Sequence, residues 1–152
     1  MSRARRSGLR QTQDGNSTIE FAIVVSFLAT LVLGILDFGV GFWEQMQVGN
    51  AAQAGADYAV KNGFNSTNIG TAITSATGLA SIAASPAPTQ SCGCPSATLG
   101  VVSSTCGASC ASGGTAGTYV TANAQASYTT LFPWPGISNP VTLSASAIVR
   151  TN

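Results

Sequence analysis

Apolar positions run from Phe21 to Trp43 (FAIVVSFLATLVLGILDFGVGFW), and Ser26, Thr30 and Asp37 are the only polar side chains among them. A helix needs roughly 20 mostly apolar residues to cross the hydrocarbon core of a bilayer. The run is long enough and predicts one transmembrane helix. Past Trp43 the helical pattern continues without proline through Glu44–Gly49 to Asn62-Gly63, where glycine suits the position after a helix end. A single helix over 17–62 would measure about 70 Å at 1.5 Å per residue. That exceeds any bilayer, so the second half must stand outside the membrane as a spine. In that half Ala51, Gly55 and Ala59 recur every four residues. Such a ridge permits close helix–helix approach, and it equally suits packing of the helix on the chain's own globular domain.

Beyond Gly63 the periods change. Asn65-Ser66-Thr67 offers an N-cap, and Ile69, Ile73, Ala76, Leu79 and Ala80 keep helical spacing within Thr67–Ala84. A second, short helix is expected there, ended by Ser85-Pro86-Ala87-Pro88. Residues 118–131 and 140–150 alternate small apolar with hydroxyl-bearing positions and read as strands. Phe132-Pro133-Trp134-Pro135-Gly136 and Ser138-Asn139-Pro140 punctuate the connection between them. The expected class is α+β, pilin-like: a long N-terminal transmembrane and spine helix, a short helix, and a small antiparallel sheet against the spine's C-terminal half.

Charge sharpens this picture. The chain has 152 residues and a net charge of +1. Arg3, Arg5, Arg6 and Arg10 precede the apolar run, and no charge occurs between Lys61 and Arg150. The positive-inside rule then puts the N-terminus in the cytoplasm and the C-terminal domain in the periplasm or outside the cell. An A-x-A site at Ala52-Gln53-Ala54 lies too far past the apolar run to suit signal peptidase. Histidine is absent, and every acidic residue precedes Lys61. The uncharged domain lacks the groups that titrate near working pH for acid–base catalysis, so no enzyme, no cofactor and no small-molecule substrate is expected. No basic stripe is present to bind nucleic acid.

The uncharged domain holds four cysteines in a loop over 91–111: Cys92 and Cys94, then Cys106 and Cys110. An even count in an exported segment favours disulfides, with three possible connectivities. Direct pairing of Cys92 with Cys94 would be strained, so two bridges should link the first pair to the second. The nested arrangement, Cys92–Cys110 with Cys94–Cys106, closes a hairpin around Val101-Val102 and is the preferred one. A Cys-only zinc site and a redox-active CxC are weaker alternatives.

The most specific pattern stands just before the membrane segment: Asp14-Gly15-Asn16-Ser17-Thr18-Ile19-Glu20-Phe21. A carboxylate inside a bilayer costs about 3 kcal/mol on insertion scales, so Glu20 needs a reason. Glycine, four variable residues, glutamate and an aromatic residue resemble the prepilin leader of Tad (type IVc) pili. Together with Ile19–Val24, Gly34–Gly39 and Asn50–Ala59, the motif resembles the TadE-like family of pilus-assembly proteins over residues 15–62. The resemblance implies cleavage by a prepilin peptidase between Gly15 and Asn16. It also implies an assembly role for Glu20 and Phe21, with the carboxylate neutralising the new amine of Asn16. A cap role for Ser17 or Thr18 at the helix start is the plainer alternative. Phe21 stands where the major Tad pilin has tyrosine, and this chain is much longer, which favours a minor pilin or pseudopilin.

The expected organisation is therefore a basic leader over 1–15, a transmembrane and spine helix over 16–62 and an exported α+β domain over 63–152. The implied partners are the inner membrane, the prepilin peptidase, other pilins and the Tad assembly proteins. A membrane-tethered binding or adhesion module outside any pilus is the alternative.

Overall fold

The structure is a computed structural model that describes residues 14–98 and 100–151. The arginine-rich part of the leader, with Arg3, Arg5, Arg6 and Arg10, lies outside the described residues. One helix, α1, spans Asp14–Asn62 without interruption. The chain divides after Phe38 into two compact units, which are described separately.

In the first unit α1 is apolar on all sides. From Ile19 to Phe38 the large hydrophobic side chains are exposed, the distribution of a helix made for a lipid surround. Its two hydroxyls bond back to the helix: Ser26 Oγ donates to Ala22 O at 2.8 Å and Thr30 Oγ1 to Ser26 O at 3.0 Å. In hydrocarbon such groups have no water to bond, so internal partners are needed. Asp37 breaks the pattern. It is only 2% exposed.

The second unit, from Gly39 onward, is a layered α+β fold. The last part of α1 lays Val48, Ala51, Ala52, Ala56 and Ala59 against a sheet, a stripe at the i, i+3, i+4 spacing of one helix face. Gly63 ends the helix with φ of 77°, and its N–H donates to Ala59 O at 3.0 Å, the αL stop expected of a glycine there. A second helix, α2, covers Ser66–Ser75 and is capped by Asn65, whose side chain accepts from Asn68 N. Ile69 and Ile73 point into the core.

The helix α2 stops nine residues before the predicted Ala84. Thr71, Thr74 and Ser75 turn their hydroxyls onto carbonyls one turn back, a habit that weakens helices, and Gly78 follows. The chain then extends, and Ala83 forms an isolated bridge to Gln125 through two hydrogen bonds of 2.8 and 2.9 Å. This segment serves the sheet instead of prolonging the helix.

The sheet has four antiparallel strands: β1 (Thr89–Ser96), β2 (Gly100–Ser103), β3 (Gly117–Tyr128) and β4 (Val141–Thr151), in the order β2-β1-β3-β4. The predicted strands correspond to β3 and β4, which pair over their whole length from Thr118↔Thr151 to Tyr128↔Val141. Val120, Ala122, Ala124 and Ala126 of β3 fill the core, with Leu143, Ala145, Ala147 and Val149 of β4 partly buried beside them. Alternate residues face opposite sides of a strand, so the small apolar series of each strand lands on the helix side. Sequence reading missed β1 and β2, which lie where a Cys-rich loop was expected.

Candidate functional site

The candidate processing and assembly residues lie at the start of α1. Gly15 and Asn16 are within its helical backbone, and Glu20 and Phe21 are exposed on it. Because the described helix already includes Asp14, Ser17 and Thr18 are interior positions and neither is the N-cap. Four residues of helix advance about 6 Å, so the carboxylate of Glu20 lies one turn along from Asn16. Negative charge is favoured near a helix N-terminus, and a terminus created at Asn16 would meet that condition at Glu20.

The ridge of Ala51, Gly55 and Ala59 is buried within the second unit. A Cβ added at Gly55 would lie 2.5 Å from Cγ1 of Ile73 and 3.3 Å from Cβ of Ala122. The close approach that the small residues permit is thus made to the chain's own α2 and β3.

The four cysteines form two bridges, Cys92–Cys106 and Cys94–Cys110, with Cα–Cα separations of 5.1 and 5.5 Å. This crossed connectivity corrects the nested pairing preferred from sequence. The reason is register. The hairpin turns between Ser96 and Gly100, earlier than Val101-Val102, so Gly93 faces Ser103 and Cys94 faces Val102. Ser104 N donates to Cys92 O at 3.0 Å, which leaves Cys106 two residues from Cys92's partner. The chain then turns through Thr105–Ala108 and returns Cys110 to Cys94. Cys92 and Cys94, two apart on β1, face the same side and carry both bridges there.

Gly93 between them is a steric requirement. An added Cβ would lie 2.5 Å from Val101 Cγ1 and 2.8 Å from Val102 O. No free cysteine remains, so the thiolates that a Cys-only zinc site would need are consumed. The recess beside the second bridge is lined by residues such as Pro95, Val102, Ser104 and Ser112, none of which titrates near neutral pH.

Residues 15–57 match the family model described as TadE-like protein. This segment is TadE-like. The match begins at Gly15 and takes in Glu20, Phe21, Ala51 and Gly55, while Ala59 and all four cysteines lie beyond it. No curated protein and no solved structure matches the chain. The TadE-like family is associated with Tad pili and is structural rather than enzymatic in character. Among the described residues, α1 is the one helix long and apolar enough to cross a membrane, which suits single-pass anchoring.

Proposed function

We propose that this protein is a minor pilin or pseudopilin of a Tad-type pilus, anchored in the inner membrane with its domain over 63–152, charged only at Arg150, outside, and that it is not an enzyme. The observation that carries the reading is the order Gly15, four residues, Glu20, Phe21 at the head of a TadE-like segment that is also an apolar helix. A prepilin peptidase cuts between Gly15 and Asn16 and removes the basic leader. Glu20 then pairs with the new amine of Asn16, on its own chain or on a neighbouring subunit, as the helix leaves the bilayer for an assembly with other pilins. Breaking a desolvated charge pair by removing one partner typically costs about 3–5 kcal/mol, enough to abolish incorporation.

The test is Glu20→Gln in cells that make pili. Glutamine keeps the size and removes the charge, so the variant should be processed and membrane-resident, yet absent from pili and from crosslinks to other pilins. Normal pilus number with normal crosslinking would sink the assembly role and favour the tethered binding module.

A further inference from the structure

The second unit has an apolar end that its own core does not use. Leu131, Phe132 and Ile137, in the loop between β3 and β4, are 64%, 41% and 39% exposed. The loop runs over 129–140 without a charged residue and also holds Trp134. Three of its twelve residues are proline, Pro133, Pro135 and Pro140, which carry no backbone N–H to satisfy. Two of its other donors are met internally: Thr130 N donates to Asn139 Oδ1 at 3.3 Å and Ile137 N to Trp134 O at 3.2 Å. A segment without charges, and with three backbone donors removed by proline, is cheaper to take out of water than an ordinary polar loop.

Its position follows from two contacts. A Cβ added at Gly55 would meet Ala122 at 3.3 Å, and one added at Gly41 would meet the ring of Tyr128 at 3.4 Å. From Gly55 back to Gly41 the helix advances about 21 Å at 1.5 Å per residue. From Ala122 to Tyr128 the strand advances about 20 Å. The lengths agree, so β3 runs along α1 in the opposite sense, and the chain beyond Tyr128 emerges at the Gly39–Trp43 end of the unit. Phe42, 70% exposed, and Trp43, also exposed, occupy that same end. It is the end at which the apolar run of α1 joins the unit. Aromatic side chains concentrate at membrane interfaces, where a ring can be buried with its polar edge wet.

Resting on the reading that α1 spans a membrane, we infer that the β3–β4 loop is a second membrane contact: Leu131, Phe132, Trp134 and Ile137 enter the headgroup region of the leaflet that Phe42 and Trp43 reach. The occupant of this surface is lipid, because Phe42 and Trp43 at this end follow directly on the apolar run in sequence and the loop carries no charge to select a protein partner. The contact fixes the domain against the bilayer before assembly, and it must be released when the helix is extracted.

The chain has two tryptophans, Trp43 and Trp134, so each reports alone once the other is replaced. The full chain is reconstituted in phosphatidylcholine bilayers brominated either near the ester end of the acyl chains or near the chain terminus. With Trp43→Phe, the emission of Trp134 should shift to the blue and lose intensity, more with bromine near the ester end. Adding Leu131→Ser and Phe132→Ser should restore the intensity. Quenching of Trp43 in the Trp134→Phe protein, with Trp134 untouched by bromine, would overturn the inference and leave membrane anchoring intact. Failure of both tryptophans to respond would overturn anchoring itself. A Trp134 signal that follows the protein-to-lipid ratio and ignores bromine would assign the loop to contact between copies, again against the inference.

Discussion

Replacing Gly55 and Gly49 by alanine, one at a time, separates packing from helix propensity on a single helix. Either change removes a glycine from the interior of α1, which should gain about 1 kcal/mol from propensity alone. At Gly49 an added Cβ meets nothing within 4 Å, so Gly49→Ala should show that gain in full. At Gly55 the same methyl would lie 2.5 Å from Ile73 Cγ1 and 2.9 Å from its Cδ1. Overpacking of a tight core costs typically about 1–3 kcal/mol. The net effect at Gly55 should therefore run from about zero to a loss of about 2 kcal/mol, with Gly49→Ala on the other side of wild type. Denaturant unfolding of the full chain in detergent, followed by near-ultraviolet circular dichroism, measures the difference. Ile73→Ala removes both obstructing atoms and should itself cost about 2–5 kcal/mol. The Gly55→Ala, Ile73→Ala double variant should lose less than the sum of the singles, with a coupling of about 0.5–3 kcal/mol. Equal stabilisation by Gly49→Ala and Gly55→Ala would refute the seating of α2 on the small-residue ridge.

Peptide mapping without reduction should recover Cys92 linked to Cys106 and Cys94 linked to Cys110; recovery of Cys92 with Cys110 would restore the nested pairing. Removing one bridge through Cys94→Ser with Cys110→Ser should cost about 3 kcal/mol for a loop of this length in the chain-entropy account, read as a lower denaturation midpoint. Gly93→Ala should lower stability by about 1–3 kcal/mol, because the added methyl meets the carbonyl of Val102, which cannot swing aside as a side chain would. A midpoint equal to wild type would mean that β1 and β2 are not so closely paired.

The elements that could be read from the sequence are those whose own residues carry a period. The apolar run and the absence of proline gave α1, and the paired alternation of small residues gave β3 and β4. Asn65 announced the start of α2. Its end was not legible, because Ile69 to Ala80 keep helical spacing while the competing demand, an edge partner for Gln125, comes from a strand forty residues away. Strands β1 and β2 have no pattern to read: Thr89–Ser96 is built of Cys, Gly, Ser, Thr, Gln and Pro, and pairing with β3 and two bridges make it a strand. The disulfide partners were hidden for a related reason, since they depend on a register set by a turn between Ser96 and Gly100. At the N-terminus the leader pattern was explicit in the residues, and the TadE-like match over 15–57 begins at its glycine. The ridge was visible too, but not the surface that it meets, because i, i+4 spacing describes a helix face and is silent about its neighbour.

Removal of the leader after Gly15 is checked by N-terminal sequencing of the protein recovered from membranes. The mature chain should begin at Asn16, and a Gly15→Ala variant should retain the arginine leader. A chain that still begins at Met1 or Ser2, or one that begins beyond the apolar run at Gly55, would contradict it.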